Sequence, residues 1–364
     1  MFKKSLQVIK PVSFPIFSVL IALVISAIII TIMGYNAASA YRSLFNGAFG
    51  NLNAIAETLV QATPLIFTAM AYAVAYKCGI INLGAEGQLH IGAIFGAFMG
   101  ARFGFLPGPI HILFIMICGI FGGAMWGLIA GALKMRFGAS ELITTIMLNF
   151  IALEFVSFSV TNHPFRDTTP GAAPRMTRIV EGTELPNLIS GTRLHIGILI
   201  AILVLVIYYI FMWKTTKGYE MRVVGQNAPA GRYSGINIGR NSLLALVIGG
   251  GIAGLGGVVN LLGLQFFMTE GFSNNFGFSG VAVALVGGGH PIGIFLGGVF
   301  FGALNAGGIR MQVSAQVPAA ATLMIQGLII LFVVSKELFS HLEITKNRIF
   351  SRVKKAEIGG ESDA

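Results

Sequence analysis

The sequence predicts an all-α, polytopic membrane protein with about ten transmembrane helices and both termini on the cytoplasmic side. Three observations carry this. Hydrophobic residues fill 55% of the 364 positions and charged residues only 10%, with a mean hydropathy of +0.81, whereas soluble domains carry about 25% charged residues. The apolar residues come in runs, most of them long enough to cross about 30 Å of hydrocarbon. The basic residues, finally, gather on alternate connections, as cytoplasmic loops do.

Residues 1–14 form a basic tail with Lys3, Lys4 and Lys10. The apolar run Pro15–Met33 follows, and Ala38-Ser39-Ala40 behind it resembles a signal-peptidase site. A cleaved signal therefore competes with a retained signal-anchor helix, and the length of the run and the spans after it favour the anchor. Further spans are read at Ala56–Tyr76, Leu83–Ala101, Ile110–Leu133, Glu141–Val160, Leu194–Trp213, Asn241–Leu262, Phe276–Gly289, Ile292–Gly308 and Pro318–Ser335, all within one membrane domain, 15–335. The Phe276–Gly289 run is too short to cross by itself.

Ten crossings put Lys77, Lys134, Arg136, the basic residues of 214–240 and those of both tails in the cytoplasm. Arg42, Arg102, Arg166, Arg175, Arg178, Arg193 and Arg310 remain outside, seven against seventeen, and shifting by one crossing inverts the split. The same distribution argues against nucleic acid as the partner of a chain of net charge +10, because the charge follows topology rather than a patch. The predicted external loop 161–192 holds Pro164, Pro170, Pro174 and Pro186 among mixed charges. It reads either as an ordered cap or docking surface, or as a solvated linker. The cytoplasmic tail 336–364 turns from basic and amphipathic to acidic, and its last residues are expected to be disordered.

The central connection 214–240 is unusually polar for so apolar a chain. It carries Lys214, Lys217, Arg222, Arg232 and Arg240, with Glu220 its sole acid. A basic, glycine-punctuated cytoplasmic loop is a surface for a cytoplasmic partner.

Two places break the hydrophobic pattern. Lys77-Cys78-Gly79-Ile80-Ile81-Asn82-Leu83-Gly84-Ala85-Glu86-Gly87-Gln88 puts glycines, a carboxylate and amides at membrane depth. Thr269 to Gly277 leads into a short apolar segment ended by Gly287-Gly288-Gly289-His290-Pro291. Each follows the second helix of a five-span half, the pattern of an inverted-repeat transporter. Irregular backbone at such depth survives only when buried in protein or lining a cavity. The glycine patterns Gly119/Gly123/Gly127, Gly250/Gly254 and Gly297/Gly298/Gly302 read as close helix contacts.

Enzymatic chemistry is not indicated. No Gly-Lys pair exists to build a phosphate loop, no His-Glu-x-x-His occurs, and the six histidines do not cluster. Cys78 and Cys118 lack metal or disulfide spacing. The intramembrane carboxylates carry more information, since each costs roughly 2.5–3.5 kcal/mol at a span centre on insertion scales. Glu141 and Glu57 suit helix first turns. Glu86 either caps backbone amides freed by the interruption or edges a cavity. Glu154 lies mid-span, with Asn149 loosely on the same face, and suits a pathway or an interhelical hydrogen bond.

Taken together, Gly79–Gln88, Gly218 with Gly225-Gln226-Asn227-Ala228 and Gly235-Ile236-Asn237, the run Gly249–Gly257 and Gly280–Gly288 resemble the permeases of bacterial ABC importers. The broad family takes simple sugars and branched-chain amino acids, and the Asn-Leu-Gly-x-Glu-Gly-Gln version at Asn82–Gln88 is similar to its nucleoside-uptake branch. The resemblance covers roughly residues 57–335. It implies a multi-pass permease of the bacterial inner membrane, with no cofactor of its own and with ATP and Mg bound at a separate cytoplasmic ATPase. It further implies a second, different permease subunit and an extracytoplasmic receptor lipoprotein. The coupling helix would lie between Gly218 and Gly235, using Gly218, Glu220, Arg222, Gly225, Asn227, Ala228, Gly235 and Ile236. The substrate pathway would be edged by Asn82, Glu86, Gln88, Asn149, Glu154 and Asn305. Sugars or amino acids as cargo, or an ion-driven secondary transporter, are the alternatives.

Overall fold

The apolar runs fold as helices. The computed structural model describes residues 18–171 and 173–332; the tails 1–14 and 336–364, with the outer ends of the first and last runs, lie outside the described residues. In chain order the helices are α1 (Ser18–Ile32), α2 (Ala37–Phe49), α3 (Leu52–Lys77), α4 (Ala85–Gly100), α5 (Gly108–Phe137), α6 (Glu141–Thr161), α7 (Gly197–Lys214), α8 (Thr216–Gln226), α9 (Ala228–Tyr233), α10 (Ile238–Asn260), α11 (Phe276–Val286), α12 (Pro291–Ala315) and α13 (Ala319–Phe332). Six of them, α3, α5, α6, α7, α10 with the π turn Leu261–Gln265 that ends it, and α12, are long and apolar enough to cross a bilayer. The runs beside the two interruptions form shorter helices, because glycines and amides bound them: α4 has 16 residues and α11 has 11.

Two units are distinguished, residues 41–314 and a smaller one that joins the chain up to Ala40 with that from Ala315. In the smaller unit the Ser18 hydroxyl donates to the Phe332 carbonyl at 3.3 Å, linking α1 to α13. In the larger unit α3 is buried along nearly its whole length, whereas α5, α6 and α7 keep an exposed apolar side. α10 packs against α3, α4 and α5. Lipid tails are as apolar as leucine, so helices here gain by close contact rather than by hydrophobic drive. Small residues supply it. A Cβ at Gly123 would lie 2.2 Å from the Gly250 carbonyl oxygen, and one at Gly254 would lie 2.3 Å from that of Gly119. On α4, a Cβ at Gly92 would meet the Gly254 Cα at 2.3 Å. Gly119/Gly123/Gly127 and Gly250/Gly254, read from sequence, are thus where α5 and α10 touch backbone to backbone, while Gly302 brings α12 against the Thr58 carbonyl of α3.

The loop 161–192 is ordered by its backbone. Met176 donates to Met268 at 2.9 Å, Ile179 to Phe266 at 3.0 Å, Val180 to Gly100 at 3.1 Å and Leu185 to Leu262 at 2.9 Å. Met176, Ile179 and Leu185 are buried. The loop is therefore stitched over the ends of α4 and α10, not a solvated linker.

Candidate functional site

The two interruptions meet. α3 ends at Lys77, the chain turns at Gly79 with φ +77°, and α4 starts only at Ala85. Three buried side chains hold this break. The Asn82 Oδ1 accepts the Gly84 N–H at 3.0 Å, and the Asn82 and Gln88 amides pair reciprocally at 3.2 and 3.4 Å. From α6, the Asn149 Oδ1 accepts the Gly87 N–H and its Nδ2 donates to the Leu83 carbonyl, both at 2.8 Å. A helix start leaves its first N–H groups without partners, and one amide here satisfies such a donor together with a carbonyl of the break. Gly87 admits it closely, since a Cβ there would meet the Asn149 Oδ1 at 2.9 Å.

Glu86 reaches across to the second interruption. Its Oε2 accepts the N–H of Gly277, in the first turn of α11, at 2.5 Å. Asn275, which opens α11 in the left-handed region at φ +58°, makes no side-chain cap of its own. The carboxylate therefore sits in the first turn of α4 while capping α11, where the partial positive charge of helix N-termini favours it. His90 donates from Nδ1 to the Glu86 carbonyl at 2.8 Å. The Thr68 hydroxyl donates to the Phe276 carbonyl at 2.9 Å and ties α11 to α3. Asn149 lies eight residues into α6, so this node sits about 12 Å in from the start of that helix.

Of the pathway residues expected from sequence, Asn82, Glu86, Gln88 and Asn149 come together, none more than 3% exposed. Glu154 lies on the exposed side of α6, and Asn305 is half-buried on α12. The two other carboxylates are paired near helix ends: Glu141 with Lys134 at 2.7 Å, and Glu57 with Gln61 at 3.0 Å and Arg193 at 3.6 Å.

The central connection folds as α8 and α9, and the polar residues that make it read as a loop are helix caps. Thr215 Oγ1 accepts the Gly218 N–H at 3.1 Å, Asn227 Oδ1 the Ala230 N–H at 3.0 Å and Asn237 Oδ1 the Arg240 N–H at 2.9 Å. Glu220 accepts from the Lys217 ammonium and from the Asn241 amide at 3.1 Å, which fastens α8 to the start of α10. The Lys217 hydrogen bond, followed by that of Asn241, holds its carboxyl below the usual carboxylate range. Gly218 lies against the Phe211 and Met212 backbone. Gly225 is pressed on the first interruption: a Cβ there would lie 2.3 Å from the Lys77 carbonyl oxygen and 2.9 Å from the Gly79 nitrogen. Gly235 turns at φ +77° into open space. Ile236 is half-buried, and its N–H donates to the Gly231 carbonyl at 3.0 Å. Arg222 is half-buried, while Asn227 is exposed and Ala228 opens α9.

Lys77 and Gly277 fall in the stretches that sequence marks as interruptions, but what they touch carries no sequence signal. Lys77 donates from Nζ to the Gly288 carbonyl at 3.2 Å, joining the exit of α11 to the first interruption. Gly277 accepts no substitution, since a Cβ would lie 2.3 Å from the Glu86 nitrogen. Tyr219 and Tyr233 are exposed, the latter 94%; a tyrosine turned outward from a basic helix pair is legible only once the helices are placed.

Helices broken inside an apolar bundle, with six others able to cross a bilayer, define a multi-pass membrane protein of the transport class. The chain belongs to the family of the branched-chain amino acid transport system permease component, whose pattern matches residues 54–334. It is 34% identical over 322 residues, 88% of this chain and 92% of the relative, to the guanosine ABC transporter permease protein NupP of Bacillus subtilis. To the nucleoside ABC transporter permease protein NupB of Lactococcus lactis it is 36% identical, over 90% of this chain and 92% of that one. The glucose ABC transporter permease protein TsgB13 of Haloferax volcanii is 31% identical over 91% of this chain and 89% of its own length. No solved structure matches. The chain is an ABC transporter permease, a multi-pass protein of the bacterial membrane.

Proposed function

We propose that this chain is the permease subunit of an importer for nucleosides, gated by a separate cytoplasmic ATPase that binds ATP and Mg. One observation carries the mechanism: Gly225 of α8 rests on the Lys77–Gly79 backbone, so the exposed helix pair is in direct contact with the break that leads to Asn82, Glu86 and Gln88. Force applied to Gly218–Ile236 by the ATPase reaches the two interruptions through that contact. The energy comes from the ATPase binding one state of the permease better than the other. About ten crossings, cytoplasmic termini and an inverted repeat accord with the asymmetry of basic residues and with the pairing of the two breaks at Glu86 and Gly277.

Asn82, Glu86, Gln88 and Asn149 reach solute when α4 and α11 part, and Glu154 and Asn305 complete the pathway. Amides and carboxylates hydrogen-bond ribose hydroxyls and base edges. The names of two relatives, NupP and NupB, support nucleosides. A glucose permease at 31% identity supports a sugar as the second reading. The partners are the ATPase, a second and different permease, and a receptor lipoprotein that delivers the solute.

The test is uptake of labelled guanosine into cells carrying the whole system. ATP depletion should abolish uptake, an uncoupler should leave it, and excess unlabelled nucleoside should compete while glucose should not. Competition by glucose alone would favour the second reading. Transport by this chain alone on an ion gradient would overturn both.

A further inference from the structure

The Thr269–Asn275 stretch is not helical, and Glu270, Gly271, Asn274 and Asn275 are exposed. Two fixed points set its depth. The Ser157 hydroxyl donates to the Glu270 Oε1 at 2.6 Å, four residues from the end of α6, or about 6 Å along its axis. At its other end the stretch enters α11, whose Gly277 is held by Glu86 beside Gly87 and Asn149, about 18 Å from the same helix end. Irregular backbone and exposed amides thus descend about 12 Å alongside a helix that spans the bilayer. In hydrocarbon each unpaired backbone group costs several kcal/mol, and lipid-exposed irregular backbone does not occur there. Glu154, exposed and without a partner among the described residues, lies one turn below Ser157 on α6, where exposed Phe150, Ile151 and Phe158 surround it with apolar surface. A carboxylate at that depth faces a cavity or a partner.

We infer that this strip, Glu154, Ser157, Glu270, Asn274 and Asn275, is the water-lined wall on which the passing solute is recognised. The inference rests on the importer reading above and deepens it by naming the recognition surface. The chemistry suits a neutral, hydroxyl-rich solute with an aromatic base. The carboxylates accept hydrogen bonds from sugar hydroxyls, the amides both donate and accept along a base edge, and exposed Phe278 offers a ring face on which a base can stack.

The experiment is cysteine accessibility in the assembled transporter, permeases with ATPase and receptor, in membrane vesicles. Cys118→Ser removes the half-buried native thiol, and Cys78 is buried. Asn274→Cys and Glu154→Cys are then treated with a charged, membrane-impermeant methanethiosulfonate, with Leu203→Cys on the exposed apolar side of α7 as control. Both should react at least tenfold faster than the control, and guanosine should slow them at least threefold. Reaction no faster than the control, the mark of a lipid-facing or dry protein interface, overturns the inference. Fast reaction without guanosine protection overturns the recognition role, provided the wild type takes up guanosine. Protection by glucose instead, in a wild type that transports glucose, keeps the wall and refutes only the nucleoside. As a second measurement, Asn274→Ala should raise the KM for uptake about tenfold, and an unchanged KM counts against it.

Discussion

At the scale of single residues, Asn149 and Glu86 do different work. Asn149 meets two backbone groups, the Gly87 N–H and the Leu83 carbonyl, that have no other partner in the break. Asn149→Ala leaves both buried and unmet, at about 1–3 kcal/mol each on general mutational experience, while interhelical bonds in membranes average about 0.6 kcal/mol. Glu86→Gln keeps an oxygen able to accept the Gly277 N–H and loses only the charge, so the milder loss belongs there. Thermal melts of the purified chain in detergent should therefore rank Asn149→Ala below Glu86→Gln and both below the wild type; the reverse order would mean that the cap on α11 depends on charge. The capping reading of Glu86 was open to sequence reasoning, since a carboxylate beside a Gly-rich helix break is favourable there. Its partner was not. Gly277 stands 191 positions away, and no local pattern ties the two.

At the scale of elements, the polar stretch 214–240 folds as two short capped helices rather than as an open loop. Thr215, Asn227 and Asn237 each open the next helix by accepting an N–H, the preferred use of such residues at helix starts. What α8 touches is another matter. Gly225 and Gly235 look alike in sequence, yet one is jammed against the Lys77–Gly79 backbone and the other points into open space. Gly225→Val should lower uptake at least tenfold while the assembled ATPase still hydrolyses ATP, because α8 must lift off the break to fit the side chain. Gly235→Ala meets no neighbour and suffers only the left-handed backbone, a cost of about 1–2 kcal/mol, so its uptake should fall less. Equal uptake by wild type and Gly225→Val would remove the contact from the coupling route.

At the scale of the whole molecule, topology decides which surface meets which partner. The basic residues of 214–240 and the outward Tyr233 belong on the cytoplasmic side if the seventeen-to-seven division holds. Tyr233→Cys should then be labelled by an impermeant maleimide in inside-out vesicles and protected in right-side-out ones. Labelling from the outside would invert every assignment of inner and outer loops. The loop 161–192, tied down by Met176, Ile179 and Leu185, would then lie on the opposite face.

Composition and the spacing of apolar runs were enough to determine a helical membrane protein, the places of the six helices long enough to cross a bilayer, its basic central connection and its two breaks, but not α2 or the last seven residues of α12. Those properties follow from local chemistry: the length of a run against the bilayer, the charge of a loop, the presence of glycine. Tertiary structure alone decided that the two breaks share one carboxylate, that Gly225 rests on Lys77, and that the second break leaves Glu270, Asn274 and Asn275 exposed while Asn82, Glu86 and Gln88 of the first are buried. Such contacts join residues far apart in the chain across close-packed helices, and no short stretch of sequence encodes which backbone will come within reach of which side chain.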